Sequence, residues 1–132
     1  MPTPSVVAII PVGALDGAKS RLGAVLDAEE RLALTTGLVR RTIAAAMAAT
    51  RIGEVLVVTP DDAVRTIAAQ LGARPVRQRD GGLNRGIDAG RAEAIAAGAS
   101  AILILPIDLP DVTPGAIDAV AAEADEPERP LV

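Results

Sequence analysis

The chain of 132 residues contains no cysteine, no histidine and no aromatic residue. Without cysteine there is neither a disulfide framework nor a thiolate site. Without histidine as well, a Ser-His-Asp triad, a cysteine nucleophile and a His-ligated zinc site are excluded. The missing aromatics exclude a platform for stacking nucleic-acid bases. A block of one charge sign is also lacking: 17 acidic and 13 basic residues give a net charge of −4 and lie interspersed. This speaks against the clustered basic face of a nucleic-acid-binding protein. No apolar run approaches the roughly 20 residues of a membrane helix, and Met1-Pro2-Thr3-Pro4 lacks the positive region of a signal peptide. The expectation is a soluble cytoplasmic protein with neither nucleic acid nor membrane as partner.

What remains for chemistry is Asp, Glu, Lys, Arg, hydroxyls and backbone amides. Those groups suffice for phosphoryl or nucleotidyl transfer, which depends on positioning, charge neutralisation and Mg²⁺ rather than on a covalent nucleophile. A small alanine-rich domain that merely lacks these residue types has the same composition, so composition alone does not choose between the two.

Half of the residues are apolar, enough for one domain spanning residues 1–132 with a real core. Four short apolar runs alternate with four helical patterns, the βαβα order of a parallel α/β sheet. Strands are expected at Val6 to Ile10, Val55 to Thr59, Pro75 to Gln78 and Ala101 to Leu105. Continuous runs such as EVLVVT and AILILP suit strands covered on both faces. Asp27 with Glu30 resembles a capping box, after which Leu32, Val39, Ile43 and Met47 mark the expected buried face of the first helix. Asp61 or Asp62 caps the second, where Val64, Ile67, Ala68 and Leu71 keep helical spacing before Gly72 ends it. A third helix is expected from about Asn84 to Gly98, and a fourth opens with Thr113 as cap and Pro114 at the first helical position. After EADEPERP the apolar pair Leu131-Val132 reads either as a fifth strand cut short or as a frayed terminus.

Ligands of open parallel sheets bind outside the carboxyl ends of the strands, which directs attention to the loops after strands one, three and four. The first, PVGALDGAKSRL, matches G-x-x-x-x-G-K-[ST] from Gly13 except that Ala18 stands at the second glycine. A Cβ there hinders close approach of the backbone to phosphates. The loop is therefore read as something other than a P-loop, either a structural loop with Lys19 and Arg21 in solvent or a different phosphate loop. The second, around Gly81-Gly82-Leu83-Asn84, is either a plain turn with an N-cap or a place where glycines admit a nucleotide, with Gln78 and Asn84 hydrogen-bonding base or ribose. In the third, Asp108 follows a buried strand, where it either caps a turn between Pro106 and Pro110 or serves as a Mg²⁺ ligand.

The run Ile9-Ile10-Pro11-Val12 through Ala14-Leu15-Asp16-Gly17-Ala18-Lys19-Ser20-Arg21-Leu22, the later Gly82-Leu83-Asn84, and Leu105-Pro106-Ile107-Asp108-Leu109-Pro110 resemble the 2-phospho-L-lactate / phosphoenolpyruvate guanylyltransferase family of coenzyme F-420 biosynthesis. The motifs occur in the same order and span nearly the whole chain. The resemblance implies a Rossmann-like nucleotidyltransferase fold, a parallel three-layer arrangement with strand order 3-2-1-4, apparently truncated.

It also implies that Val12, Ala14, Lys19, Arg21, Gln78, Gly82, Leu83 and Asn84 border GTP. Lys19 and Arg21 would lie against the triphosphate, and Asp108 would hold Mg²⁺, leaving Lys19 and Asp108 as the catalytic pair. The implied reaction joins GTP to phosphoenolpyruvate or 2-phospho-L-lactate, a small phosphorylated carboxylic acid, and releases pyrophosphate. Its phosphate nucleophile is already ionised at neutral pH and needs no general base, in keeping with the missing histidine. Family members usually carry lysine where this chain has Gly13, and the absent contact to phosphate is worth about 1.5–3 kcal/mol. They also continue past position 132 into a region with a second metal carboxylate and the surface for the phosphorylated acid. Two alternatives stay open: a non-catalytic nucleotide-binding remnant of the fold, and a related enzyme such as a molybdenum cofactor guanylyltransferase. A homodimer through an exposed fourth strand is a further expectation.

Overall fold

In the computed structural model, residues 6–13, 28–78, 83–109 and 112–124 are described. The expected strands and helices are present in the expected order. β1 (Val6–Pro11) is buried at every position. It is flanked by β2 (Ile52–Thr59) and β4 (Ala101–Ile104), and β3 (Arg74–Arg77) pairs with β2, giving the order β3-β2-β1-β4 with all pairs parallel. This is the order that the nucleotidyltransferase resemblance implies.

The continuous apolar runs are explained by helices on both faces. Val6, Ala8, Ile10, Val55 and Val57 join a core shared with α1 (Ala28–Ala48), α2 (Asp62–Gln70) and α4 (Pro114–Ala124). Val7, Ile9, Leu56 and Val58 face the other way and meet α3 (Leu83–Ala96) through Ala94 and Ala89. Alternate residues of one strand thus fill two different cores, and no polar face is left for a period-two pattern to show.

α3 comes close to the sheet because it has a glycine at the contact. A Cβ on Gly90 would stand 2.7 Å from Cγ2 of Ile9 and 3.0 Å from Cγ2 of Val58. The helix-weakening effect of glycine is accepted here in exchange for close packing.

The ends of the helices follow their sequence signals. Asp61 is the N-cap of α2, its carboxylate accepting from the amides of Ala63 (2.9 Å) and Val64 (3.2 Å). Val64, Ile67 and Ala68 are buried, and Gly72 follows the helix at φ +90°. The Thr113 hydroxyl accepts from the amide of Ala116 at 3.1 Å, which caps α4 ahead of Pro114. Asp27 lies outside the described residues.

One expected face is corrected. Val39 and Ile43 of α1 are fully buried, but Leu32 and Met47 are 45% and 42% exposed, and Thr35, Thr42 and Ala46 take their place. The helix of 21 residues is about 31 Å long, whereas the six residues of β1 span about 20 Å. Leu32 sits in the overhanging first turns. Met47 leaves the sheet sideways, its Cε within 3.2 Å of the place a Cβ on Gly72 would occupy.

At the far end of α1, Asp118 of α4 fastens the turn into β2. Its carboxylate accepts from the amide of Arg51 (2.7 Å) and from the amide and hydroxyl of Thr50 (3.0 and 2.9 Å). The Arg51 amide above all holds this carboxyl below its usual range, against a smaller opposing effect of desolvation. Among the described residues no helix is long and apolar enough to cross a membrane.

Candidate nucleotide site

Because β1 lies between β2 and β4, the chain leaving β1 and the chain leaving β4 emerge side by side at the carboxyl edge of the sheet. The strand order reverses between these two strands, and such a point opens a crevice. The ladders run on past the strands proper: the amide of Val12 donates to the carbonyl of Val58 at 2.9 Å, and that of Leu105 to the carbonyl of Ile9 at 2.9 Å. The side chain of Val12 belongs to the core, so it meets a ligand only through its main chain. Gly13 is exposed, and a Cβ placed on it would meet no atom of the described residues within 4 Å.

Asp108 lies on the turn after β4. Ile107 and Val112 on either side of this turn pack into the core, while Arg41 of α1 donates to the carbonyl of Leu109 at 3.5 Å. The turn is therefore tied down around an outward carboxylate. Asp108 is exposed and takes part in no hydrogen bond or ion pair among the described residues. It is free to meet a cation, which supports the ligand reading over the turn cap. No group of three acidic side chains that could cage a metal occurs among the described residues. One carboxylate fits Mg²⁺, which is commonly held by one or two carboxylates with phosphates and water completing its shell.

Gln78 stands at the other corner of the same edge, next after β3. Its amide donates to the carbonyl of Thr59 at 3.0 Å, and its side chain is buried. The first turns of α3 lie beside it: a Cβ on Gly86 would fall 2.6 Å from Oε1 of Gln78. The structure thus brings Gln78 beside the first turns of α3. From β3 to β4 there are three strand spacings, about 14 Å. That distance suits an extended nucleotide better than a small metabolite. Ala14, Lys19, Arg21 and Gly82 lie outside the described residues, as do the side chains of Leu83 and Asn84.

Sequence reasoning passed over the loop after β2, which closes the gap between the corners. The carbonyl of Thr59 accepts from Nη1 of Arg65 at 3.1 Å as well as from Gln78, its hydroxyl accepts from the amide of Asp61 at 3.1 Å, and Arg65 pairs with Asp62. The signal was present in TPDD, a strand end running directly into a capping acid. These groups are satisfied by one another, and they shape the edge without offering it free charge.

An open groove of about 240 Å³ lies elsewhere, lined by Met47, Ile52, Glu54, Gly72 and Arg74. It sits at the amino end of β2, away from the switch point. Its cation is already engaged, since Arg74 pairs with Glu93 at 2.7 Å and with Glu54 at 3.9 Å. The carboxyl edge is the better candidate for a phosphorylated ligand.

Comparison with known proteins bears on the fold and the family. A phosphoenolpyruvate guanylyltransferase of Rubrobacter xylanophilus is 47% identical over 122 residues, covering 92% of this chain and 59% of the relative. One of Sphaerobacter thermophilus is 41% identical over 120 residues, with 91% and 58% covered. The chain thus spans under 60% of the length of these curated relatives. Among solved structures, a putative nucleotide-diphospho-sugar transferase of Desulfovibrio desulfuricans superposes with a TM-score of 0.73 at 16% identity, over 92% of this chain and 55% of the other. A CMP:2-keto-3-deoxy-manno-octonic acid synthetase, solved with CTP, gives 0.66 at 19% identity, over 96% of this chain and 50% of the other. At such identities the two structures speak for the fold alone. Residues 20–132 match the MobA-like NTP transferase domain, and the chain belongs to that family.

Proposed function

We propose that this chain carries the GTP-binding part of a guanylyltransferase that condenses GTP with phosphoenolpyruvate or 2-phospho-L-lactate in coenzyme F-420 biosynthesis, in the cytoplasm. The observation that carries the reading is the juxtaposition of the β1 and β4 ends, with Asp108 exposed and unpaired among the described residues beside the end of β1, the strand that AKSRL follows in the sequence. The names of the relatives supply the guanylyl group and phosphoenolpyruvate.

In this reading the nucleoside lies towards Gln78 and the start of α3, and the triphosphate runs along the edge to Gly13 and Asp108. Lys19 and Arg21 neutralise phosphate charge. Asp108 would hold Mg²⁺, which when bound supplies further neutralisation of the triphosphate. A phosphate oxygen of the acid substrate forms a bond to the α-phosphorus of GTP as the bond to the bridging oxygen of the β-phosphate breaks, and pyrophosphate leaves. Chain groups bind and orient both partners, and no proton has to be removed from the nucleophile.

The test is incubation with Mg²⁺, GTP and phosphoenolpyruvate while pyrophosphate release is followed. Turnover supports the reading. Measurable GTP binding without turnover favours a nucleotide-binding module instead, a second reading suggested by Gly13. Asp108→Asn should abolish the Mg²⁺ dependence of GTP binding, measured by calorimetry with and without the metal. Unchanged dependence would remove Asp108 from the site.

A further inference from the structure

We propose that Gly86 is a positioning residue for Gln78, and that through Gln78 it sets both the affinity for the nucleobase and the preference for guanine. This inference rests on the reading of the β3–α3 corner as the nucleoside end of the site.

Gln78 is held by its main chain and by its surroundings. Its amide shares the carbonyl of Thr59 with Nη1 of Arg65, at 3.0 and 3.1 Å. Its side chain is only 8% exposed although it follows directly on an edge strand. The carboxamide lies in the space that a methyl group on Gly86 would need: a Cβ there would be 2.6 Å from Oε1, 3.2 Å from Cδ and 3.7 Å from Nε2 of Gln78.

The contrast with Gly90 isolates this role. Gly90 is crowded by Ile9 and Val58, so the packing of α3 on the sheet explains it. At Gly86 the three nearest atoms all belong to Gln78. Glycine weakens a helix relative to alanine, and the nearest group that gains from its presence is this carboxamide. A carboxamide fixed in one orientation offers donor and acceptor in a fixed order. One that rotates matches the edges of guanine and adenine alike. Locking Gln78 therefore converts a permissive hydrogen-bonding group into a selective one.

The chain has two glutamines, Gln70 and Gln78, and one asparagine, Asn84, so the side-chain amide signals of a ¹⁵N-labelled sample are few and assignable. Gly86→Ala should move the Gln78 side-chain pair and leave that of Gln70 in place. In calorimetry with Mg²⁺, Gly86→Ala should weaken GTP about three- to tenfold, the loss of one uncharged hydrogen bond, and should narrow the preference for GTP over ATP. In a Gln78→Ala background the same substitution should change GTP affinity no further, since a residue that acts through Gln78 has nothing left to act on. Additive losses, or an unmoved Gln78 signal, would overturn the proposal. If Gly86→Ala alone fails to fold, the double variant decides: it folds if Gln78 is the obstacle and fails if it is not. A wild-type protein that binds no GTP would refute the nucleotide reading, while the Gln78 signal still decides whether Gly86 positions it.

Discussion

At the β3–α3 corner Gln78, Thr59 and Asp61 are each engaged before any ligand arrives, while the Arg77 side chain is exposed at the strand end. Gln78 is buried, Thr59 takes two donors on one carbonyl, and Asp61 is occupied in capping α2. At the β1–β4 corner, some three strands away, Gly13 and Asp108 are exposed and the Asp108 carboxylate is unengaged among the described residues. One corner is shaped in advance and the other is left charged and open. The difference matches the two halves of a nucleotide. A base is recognised by a fixed pattern of donors and acceptors, which rewards rigidity, whereas phosphates and Mg²⁺ are held by charge and complete each other's coordination.

The open corner should respond to added charge and the closed one to added bulk. The largest effect is expected from Gly13→Lys, which places a cation beside the phosphates where no atom of the described residues lies within 4 Å of the new Cβ. GTP binding should tighten by about 1.5–3 kcal/mol in calorimetry, with no loss of stability. Gly90→Ala should do the reverse, since its methyl overlaps Ile9 and Val58 and lifts α3 from the sheet. A loss of about 1–3 kcal/mol in urea unfolding is expected, accompanied by weaker GTP binding because Gln78 loses its neighbour.

A smaller effect falls on the wall between the corners. Asp61→Ala removes the cap of α2 and should lower stability by about 1 kcal/mol by the same assay. The smallest is remote from both corners and serves as a control. The Asp118 carboxyl titrates below its usual range because the Arg51 amide stabilises its ionised form. Its contribution is therefore present at neutral pH and fades as pH falls through and below the normal carboxylate range. Asp118→Asn should flatten this acid limb of the stability curve and leave GTP affinity at neutral pH unchanged.

Much of the fold was legible because parallel strands covered on both faces are continuous apolar runs, as in EVLVVT and AILILP, and because Asp61, Gly72 and Thr113 mark helix ends by local hydrogen bonding. The face of α1 was misjudged at Leu32 because periodicity does not reveal that a helix is longer than the sheet beneath it, and at Met47 because the buried face runs through Thr42, Ala46 and Ala49 instead. In the site, Asp108 was legible as an acid directly beyond a buried strand. The link between Gln78 and Gly86 was not, because it depends on how the start of α3 lies against the end of β3, a tertiary contact without a sequence period. Arg65 was missed for a related reason: its link to Thr59 is made through a backbone carbonyl, which any residue could supply.

The most direct test of the account is to map GTP with Mg²⁺ onto the assigned amide spectrum of the whole chain. The account predicts shifts at both corners together, at Gln78 and Gly86 and at Val12, Gly13 and Asp108, while Met47, Gly72 and Arg74 around the amino-end groove stay still. Shifts centred on that groove, or confined to one corner, would contradict it.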